Sequence, residues 1–388
     1  MQHGTALTAM DKVDERDTPV NADAPRDAQD SPQTPQAPRT TWERSGPKLA
    51  LSLLFGAGIA WVLARGGLPL IPPKSAFSAL RPWVIPAYLT TLLAQHYFRA
   101  IRWRYLLRPV GQVSDRSAVA VSWIAFAAIL ILPLRSGEIV RPYLITRRSS
   151  VRLWEAMGTI GAERVIDGLA LSLILLLGLT LATPLSPLPD HVGDLPVPVA
   201  AVPRAAYLAL IVFGCAFAAM GIFFFARDLA RRITRAVGRI ISARLADRLA
   251  GIVERIADGL RFLPSPRLFL PFLLETLLYW GVNAAGVFLL AWGTGLTSIT
   301  LAEAAVIMGC IGIGILVPAG PGFFGAFQLS TYMALAMFFP EEALRGPGAA
   351  FVFLLYVCQV SFHLLAAAIG LAIDARGPAP SAVSNASA

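Results

Sequence analysis

The sequence predicts an all-α polytopic membrane protein, on three observations. The first is composition: 56% of the 388 residues are hydrophobic and only 15% are charged, which is too apolar for a soluble domain of this length. The second is segment length, since several stretches run past about eighteen residues almost without charge, enough to cross a bilayer as helices. The third is the placement of arginine, which gathers in a few loops and gives a net charge of +9. Arg-rich loops on one side of a membrane account for that charge, so no nucleic-acid partner is inferred.

Residues 1–47 are rich in Asp, Pro, Gln, Thr and Ala and lack periodic apolar positions, which predicts a disordered cytoplasmic tail. They also lack the short apolar core of a signal peptide, and Arg44 and Lys48 precede the first span. Spans are predicted at 48–65, 82–101, 156–183, 204–226, 267–291 and 349–373. Two further apolar stretches, 118–134 and 301–339, are interrupted. The first ends at Pro133 and runs straight into Arg135, Gly137, Glu138 and Arg141; the second is broken by PAGPG at 318–322. Proline removes a helical hydrogen bond and glycine lets the chain turn.

Loop charge decides how these stretches run. Arg99, Arg102, Arg104, Arg108 and Arg116 face a single acid, Asp115, in residues 99–116. Arg135, Arg141, Arg147, Arg148 and Arg152 face only Glu138 in residues 135–152. Both loops belong on the cytoplasmic side, so the stretch between them turns back as a re-entrant unit. The Pro-rich loop 184–203 suits the outer face, and 227–266, with nine arginines against four acids, returns to the cytoplasm. Over 227–263 apolar residues recur every three to five positions from Leu229 to Leu260. This predicts one basic amphipathic helix along the membrane surface, acting either as a connector or as a reader of anionic head groups. The stretch 301–339 then enters and leaves on the outer side. Pro133 and Gly137 are four apart, as are Pro318 and Gly322. The expected architecture is thus about six spanning helices plus two oppositely oriented re-entrant units, an inverted-topology repeat. Residues 377–388 are predicted to form a second disordered tail.

Polar residues inside such a fold are the functional candidates. Arg135 and Arg141 offer planar forks for a phosphate, and Glu138 either receives a cationic head group or holds an arginine in place. Glu163 and Asp167 lie four apart on one helix face and repel unless a cation or a proton lies between them. They either serve the substrate or lock the re-entrant unit through Arg135 or Arg141. Arg164 points elsewhere by spacing. His96 and Glu275 are possible titratable groups within spans; Arg99 and Trp103 read as interfacial anchors beside His96. At the second break, Pro318, Pro321, Gly322 and Gly325 free backbone groups, and the helix that follows presents its N-terminal amides to an anion. Cys215, Cys310 and Cys358 read as small apolar residues, and no metal-ligand spacing is present.

LPLRSGEIVRPYLITRR, GTIGAERVIDGLAL and VPAGPGFFGAFQ together resemble the motif set of the lysylphosphatidylglycerol synthase transmembrane-domain family, the flippase-like domain proteins, over about residues 48–376. The family's Arg-x-Gly-Glu-x-x-Arg pattern falls on Arg135, Gly137, Glu138 and Arg141, and its Glu-Arg-x-x-Asp pattern on Glu163, Arg164 and Asp167. Its Pro-Gly-x-x-Gly-x-x-Glu pattern falls on Pro321, Gly322, Gly325 and then Gln328, an amide where the family carries a carboxylate. The resemblance implies a non-enzymatic lipid flippase without cofactor or metal. It would move a phosphate-bearing phospholipid, glycolipid or polyprenyl-linked lipid in a bacterial plasma membrane, with both termini cytoplasmic. The alternative is an accessory subunit of a lipid-modifying enzyme or glycosyltransferase, docked through 227–263.

Overall fold

The computed structural model describes residues 41–239, 243–316 and 320–376; residues 1–40, 377–388 and Pro318 lie outside it. The chain forms α1 (Thr41–Arg65), α2 (Val84–Ile101), α3 (Trp103–Leu107), α4 (Asp115–Ile131), α5 (Val140–Thr146), α6 (Leu153–Leu181) and α7 (Ala201–Phe225). It continues as α8 (Arg227–Arg239), α9 (Ala243–Asp258), α10 (Pro266–Thr294), α11 (Leu301–Gly314), α12 (Ala326–Leu335), α13 (Glu341–Arg345) and α14 (Pro347–Ala375). The described residues contain no β-strand. Four helices are long and apolar enough to cross a membrane: α6, α7, α10 and α14, of 29, 25, 29 and 29 residues. At about 1.5 Å per residue each exceeds the roughly 30 Å hydrocarbon core. The apolar part of α1 and α11 are shorter. Helix α1 starts at Thr41, inside the stretch assigned above to the tail.

Local chemistry sets the helix ends. Ser114 caps α4 by accepting from the Ser117 amide at 3.2 Å, and Pro133 stops it. Thr300 and Glu303 form a reciprocal capping box on α11, so Glu303 is a cap. Helix α10 opens with Pro266 and closes at Gly295, whose φ of +114° is open to glycine.

Packing is reciprocal between the two halves. Helix α4 lies along α14, α6 along α11, and α2 along α10. A third layer, α7, covers α6 and leaves Tyr207, Leu208, Ile211, Ile222 and Phe225 exposed, as a lipid-facing helix does. Arg116 at the start of α4 reaches the Ile373 carbonyl at 3.1 Å, and Arg148 beyond α5 pairs with Asp374 at 2.6 Å. Both ends of the first broken unit therefore sit beside the C-terminal end of α14. The second unit sits at the other end, where Gly295, just before α11, lies against Ala79 and Pro347. Nearby, Arg345 joins Asp194 of the 184–203 loop at 3.1 Å.

One expectation changes here. The basic stretch 227–263 is two helices, not one: α8 and α9 pack on each other, and α9 also packs on α6. The contact with α6 is close because Gly158 and Gly259 lack side chains; a Cβ on Gly158 would meet the Ile256 carbonyl oxygen at 2.4 Å. The fold-back buries Ala250, Ala257 and Leu260, whereas Leu229, Ile233 and Leu249 stay exposed.

Candidate functional site

Two polar zones lie side by side in the interior. The first is a buried ion network. Arg102, fully buried just beyond α2, donates from both terminal nitrogens to Asp167 at 2.6 Å each, and also to Glu163 at 3.3 Å and Thr276 at 2.8 Å. Arg141, on α5 directly after the first break, donates to Glu163 at 2.7 Å and to Ser122 at 3.1 Å. Arg164 reaches Glu163 at 3.3 Å. Two carboxylates on one face of α6 thus gather three guanidinium groups, the condition under which charge is tolerated away from water. Trp103, read from sequence as interfacial, is buried and donates to Thr159.

The second zone is a cavity of about 140 Å³ between α2, α10, α14 and the two breaks. Gln95, His96 and Arg99 enter it from α2 and Tyr356, Gln359 and His363 from α14, each set spaced to share a helix face. Tyr279 and Asn283 come from α10, Arg135 from the first break, and Gly322 and Phe323 from the second. Arg135 sits at φ +56° and Phe323 at +58°, a left-handed conformation that L-residues seldom adopt. That conformation brings the breaks together: the Arg135 guanidinium lies 5.5 Å from the Phe323 ring and donates to the Ile315 carbonyl at 3.4 Å. Arg135 is paired with Glu138 at 3.3 Å. Arg99 has no carboxylate partner among the described residues; its guanidinium lies over the Phe126 ring at 4.3 Å and near Tyr279 at 5.8 Å. Phe126 separates the two zones, since Arg141 lies 5.3 Å from the same ring.

The sequence candidates therefore divide. Arg141, Glu163, Arg164 and Asp167 come together in the network, whereas Arg135 and Glu138 stand at the cavity. Glu138 and Arg141 do not pair despite their spacing, because the chain from Pro133 to Ile139 is a 3₁₀ helix and Arg141 turns inward to Glu163. Gly137 packs the break against α4, where a Cβ would meet the Ala128 carbonyl carbon at 2.3 Å. At the second break, Gly322 and Gly325 have φ of +73° and +91°. Pro321 opens the 3₁₀ turn, and the Gln328 side-chain oxygen accepts from the Gly325 amide at 2.8 Å. An amide oxygen thus performs the capping that a carboxylate would perform there. Glu275 stays outside the cavity and accepts from Tyr105 and Arg104 at 3.2 and 3.3 Å. His96 reaches the cavity and meets His363, with their Nε2 atoms 3.2 Å apart.

Sequence reasoning missed Arg99, Arg102 and His363. The charge count placed both arginines in a cytoplasmic loop. The available signal was a polar stripe, with Gln95, Arg99 and Arg102 falling on one face at helical spacing.

Comparison with known proteins identifies the family of the chain. Residues 49–370 match the family described as Lysylphosphatidylglycerol synthase TM region. Glycosyltransferase AglD of Haloferax volcanii is 27% identical over 334 residues, covering 80% of this chain and 53% of that protein. The chain thus spans about half the length of this curated relative. No solved structure matches. A match over most of the chain places this protein in the lysylphosphatidylglycerol synthase TM region family.

Proposed function

We propose that the protein moves a phosphate-bearing lipid between leaflets, with the head group passing through the cavity between the two breaks. One observation carries this reading: Arg99, a cation without a carboxylate partner, faces the cavity beside Arg135. A head group crossing hydrocarbon loses its hydration, and a groove that supplies hydrogen bonds and counter-charge lowers that barrier. Gln95, Asn283 and Gln359 add amide donors and acceptors. On the other face of α11, an open apolar groove of about 250 Å³, lined by Leu175, Val202, Ile313, Leu329 and Met333, suits an acyl or polyprenyl chain. In this reading Arg99 and Arg135 hold the phosphate, while Arg141, Glu163, Arg164 and Asp167 fix the first break to α6.

The same proposal includes the membrane arrangement. The contacts of Arg116 and Arg148 with the end of α14 support a first unit that enters and returns on one side. The position of Gly295 beside Pro347 supports a second unit opening to the other side. With α1 and α2 completing six spans, the arginine-rich side is cytoplasmic, as are both termini. A bacterial plasma membrane suits this arrangement.

The test uses purified full-length protein in phosphatidylcholine vesicles carrying fluorescent phosphatidylglycerol, with transbilayer movement read by quenching from outside. Arg99→Gln and Arg135→Gln are expected to slow movement at least about tenfold while leaving the elution profile unchanged. That is the loss of about one charge-assisted hydrogen bond in the rate-limiting state. Undiminished movement in folded variants overturns the assignment. The glycosyltransferase name of a relative that shares half its length with this chain favours a second reading, in which the domain presents a lipid to an enzyme partner. A stable complex with such an enzyme, and no lipid movement by the isolated protein, is the outcome that selects it.

A further inference from the structure

His96 and His363 are 267 residues apart in the chain and meet in the cavity wall with their Nε2 atoms 3.2 Å apart. Each Nδ1 lies against the backbone carbonyl four residues earlier in its own helix. The distances are 2.8 Å from His96 to Leu92 and 2.7 Å from His363 to Gln359. A carbonyl oxygen only accepts, so both Nδ1 atoms carry hydrogen. The Gln95 side-chain amide lies at 3.4 Å from His96 Nδ1, and turned over it offers its oxygen as a second acceptor. Both Nε2 atoms are then left without hydrogen, each an acceptor 3.2 Å from the other. Two acceptors at this distance repel, whereas one proton between them makes a charge-assisted hydrogen bond, and the pair then carries a single positive charge.

The surroundings decide when that proton is held. Helix α2 contributes Arg99 and the first break contributes Arg135, whose charge Glu138 offsets. Helix α10 brings Tyr279 and Asn283, and α14 brings Tyr356 and Gln359. Helix α4 offers the Phe126 ring and the Trp123 indole N–H, which donates to the His96 carbonyl at 3.4 Å. Helix α11 and the second break contribute apolar side chains, and among the described residues no carboxylate lines the cavity. An imidazolium here adds to the charge of Arg99 when the cavity is empty, and complements the cargo when an anion fills it.

We infer that His96 and His363 form one proton-binding site, and that its proton is taken up together with the phosphate anion held by Arg99 and Arg135. This rests on the phosphate reading given above. By linkage the anion raises the proton affinity of the pair, and the proton raises the anion affinity by the same factor. Between the pair's pKa in the empty cavity and its higher pKa in the filled one, anion affinity falls about tenfold for each unit that pH rises. A monoanionic head group moving with one proton carries no net charge, so its passage is indifferent to membrane potential.

The experiment is calorimetric titration of the full chain in phosphatidylcholine nanodiscs over about pH 5–8. The probes are dioctanoyl phosphatidylglycerol and dimethyl phosphate, each in two buffers of different ionisation enthalpy. The expected result is uptake approaching one proton per bound anion in the wild type. His363→Gln and His96→Gln are expected to bind with no uptake. Uptake with phosphatidylglycerol alone supports a lipid head group as the anion, and uptake with dimethyl phosphate as well supports a free phosphodiester. Binding without proton uptake overturns the coupling and leaves the phosphate reading standing. Binding of neither probe overturns the phosphate reading and the coupling with it. Uptake unchanged in both variants places the proton elsewhere and overturns the shared site. The wild-type proton count decides the coupling even where a variant fails to fold.

Discussion

Arg102 and Arg141 are among the largest fully buried side chains, and both are charged. Burying a guanidinium is tolerable only while its carboxylates remain, and removing one leaves a charge with neither water nor partner. Asp167→Ala is therefore expected to cost about 3–5 kcal/mol of stability, read as a large fall in Tm by size-exclusion of heated samples. The double substitution Arg102→Met with Asp167→Leu is expected to recover much of that loss, because apolar groups of similar volume carry no desolvation penalty. An Asp167→Ala chain as heat-stable as the wild type would show that the pair does not tie α2 to α6. This network was half legible in the sequence. Glu163 and Asp167 reveal their shared face by spacing alone, and Arg141 is named among their partners. Arg102 is not, because its partners lie 61 and 65 residues away and loop-charge counting had already explained it. His363 is hidden for the same reason. No spacing rule connects residues that only a tertiary fold brings together.

At the scale of elements, the two breaks are where backbone and side chain constrain each other most. Gly137 sits so close to α4 that any Cβ displaces main chain rather than a movable side chain. Gly137→Ala is expected to abolish lipid movement and to reduce recovery of folded protein. Gly161→Ala, on α6 with nothing within 4 Å of an added Cβ, is expected to be neutral or to stabilise by about 0.5–1 kcal/mol through helix propensity. Folded yield and heat stability of the two variants, measured side by side, check this; equal effects would contradict the contact. The positions of the breaks were plain from Pro133 and from the PAGPG run. Their meeting was not, since it depends on left-handed backbone at Arg135 and Phe323, residues that seldom take that conformation. The 227–258 hairpin was misread as one helix because both arms keep the same apolar period. Gly238 and Gly251 are both break signals in that run, and Gly251 lies within α9.

For the whole molecule, the arginine counts of the loops predict a first unit that enters and leaves on one side of the membrane. With the three native cysteines replaced by alanine, single cysteines at Gln112 and Ser149 are expected to react with impermeant maleimide from the same side. One at Glu341 is expected to react from the opposite side. Labelling of Gln112 and Ser149 from different sides would mean that the first unit crosses the membrane. The family and the helical membrane class were legible from composition and from three motifs. The pairing of α4 with α14 and of α6 with α11 was not, because helix order in space is set by surface fit between segments far apart in the chain.

That exchange of partners has a consequence for the order in which the protein is made. Helix α4 and the polar turn after it are synthesised early, but the helix that covers α4 is the last of the described helices, with Gly370 seated against the Ala120 carbonyl. During translation the first half therefore waits with its arginines and its broken backbone uncovered, while more than two hundred residues are still to come. The half-finished cavity is closed only when α14 arrives.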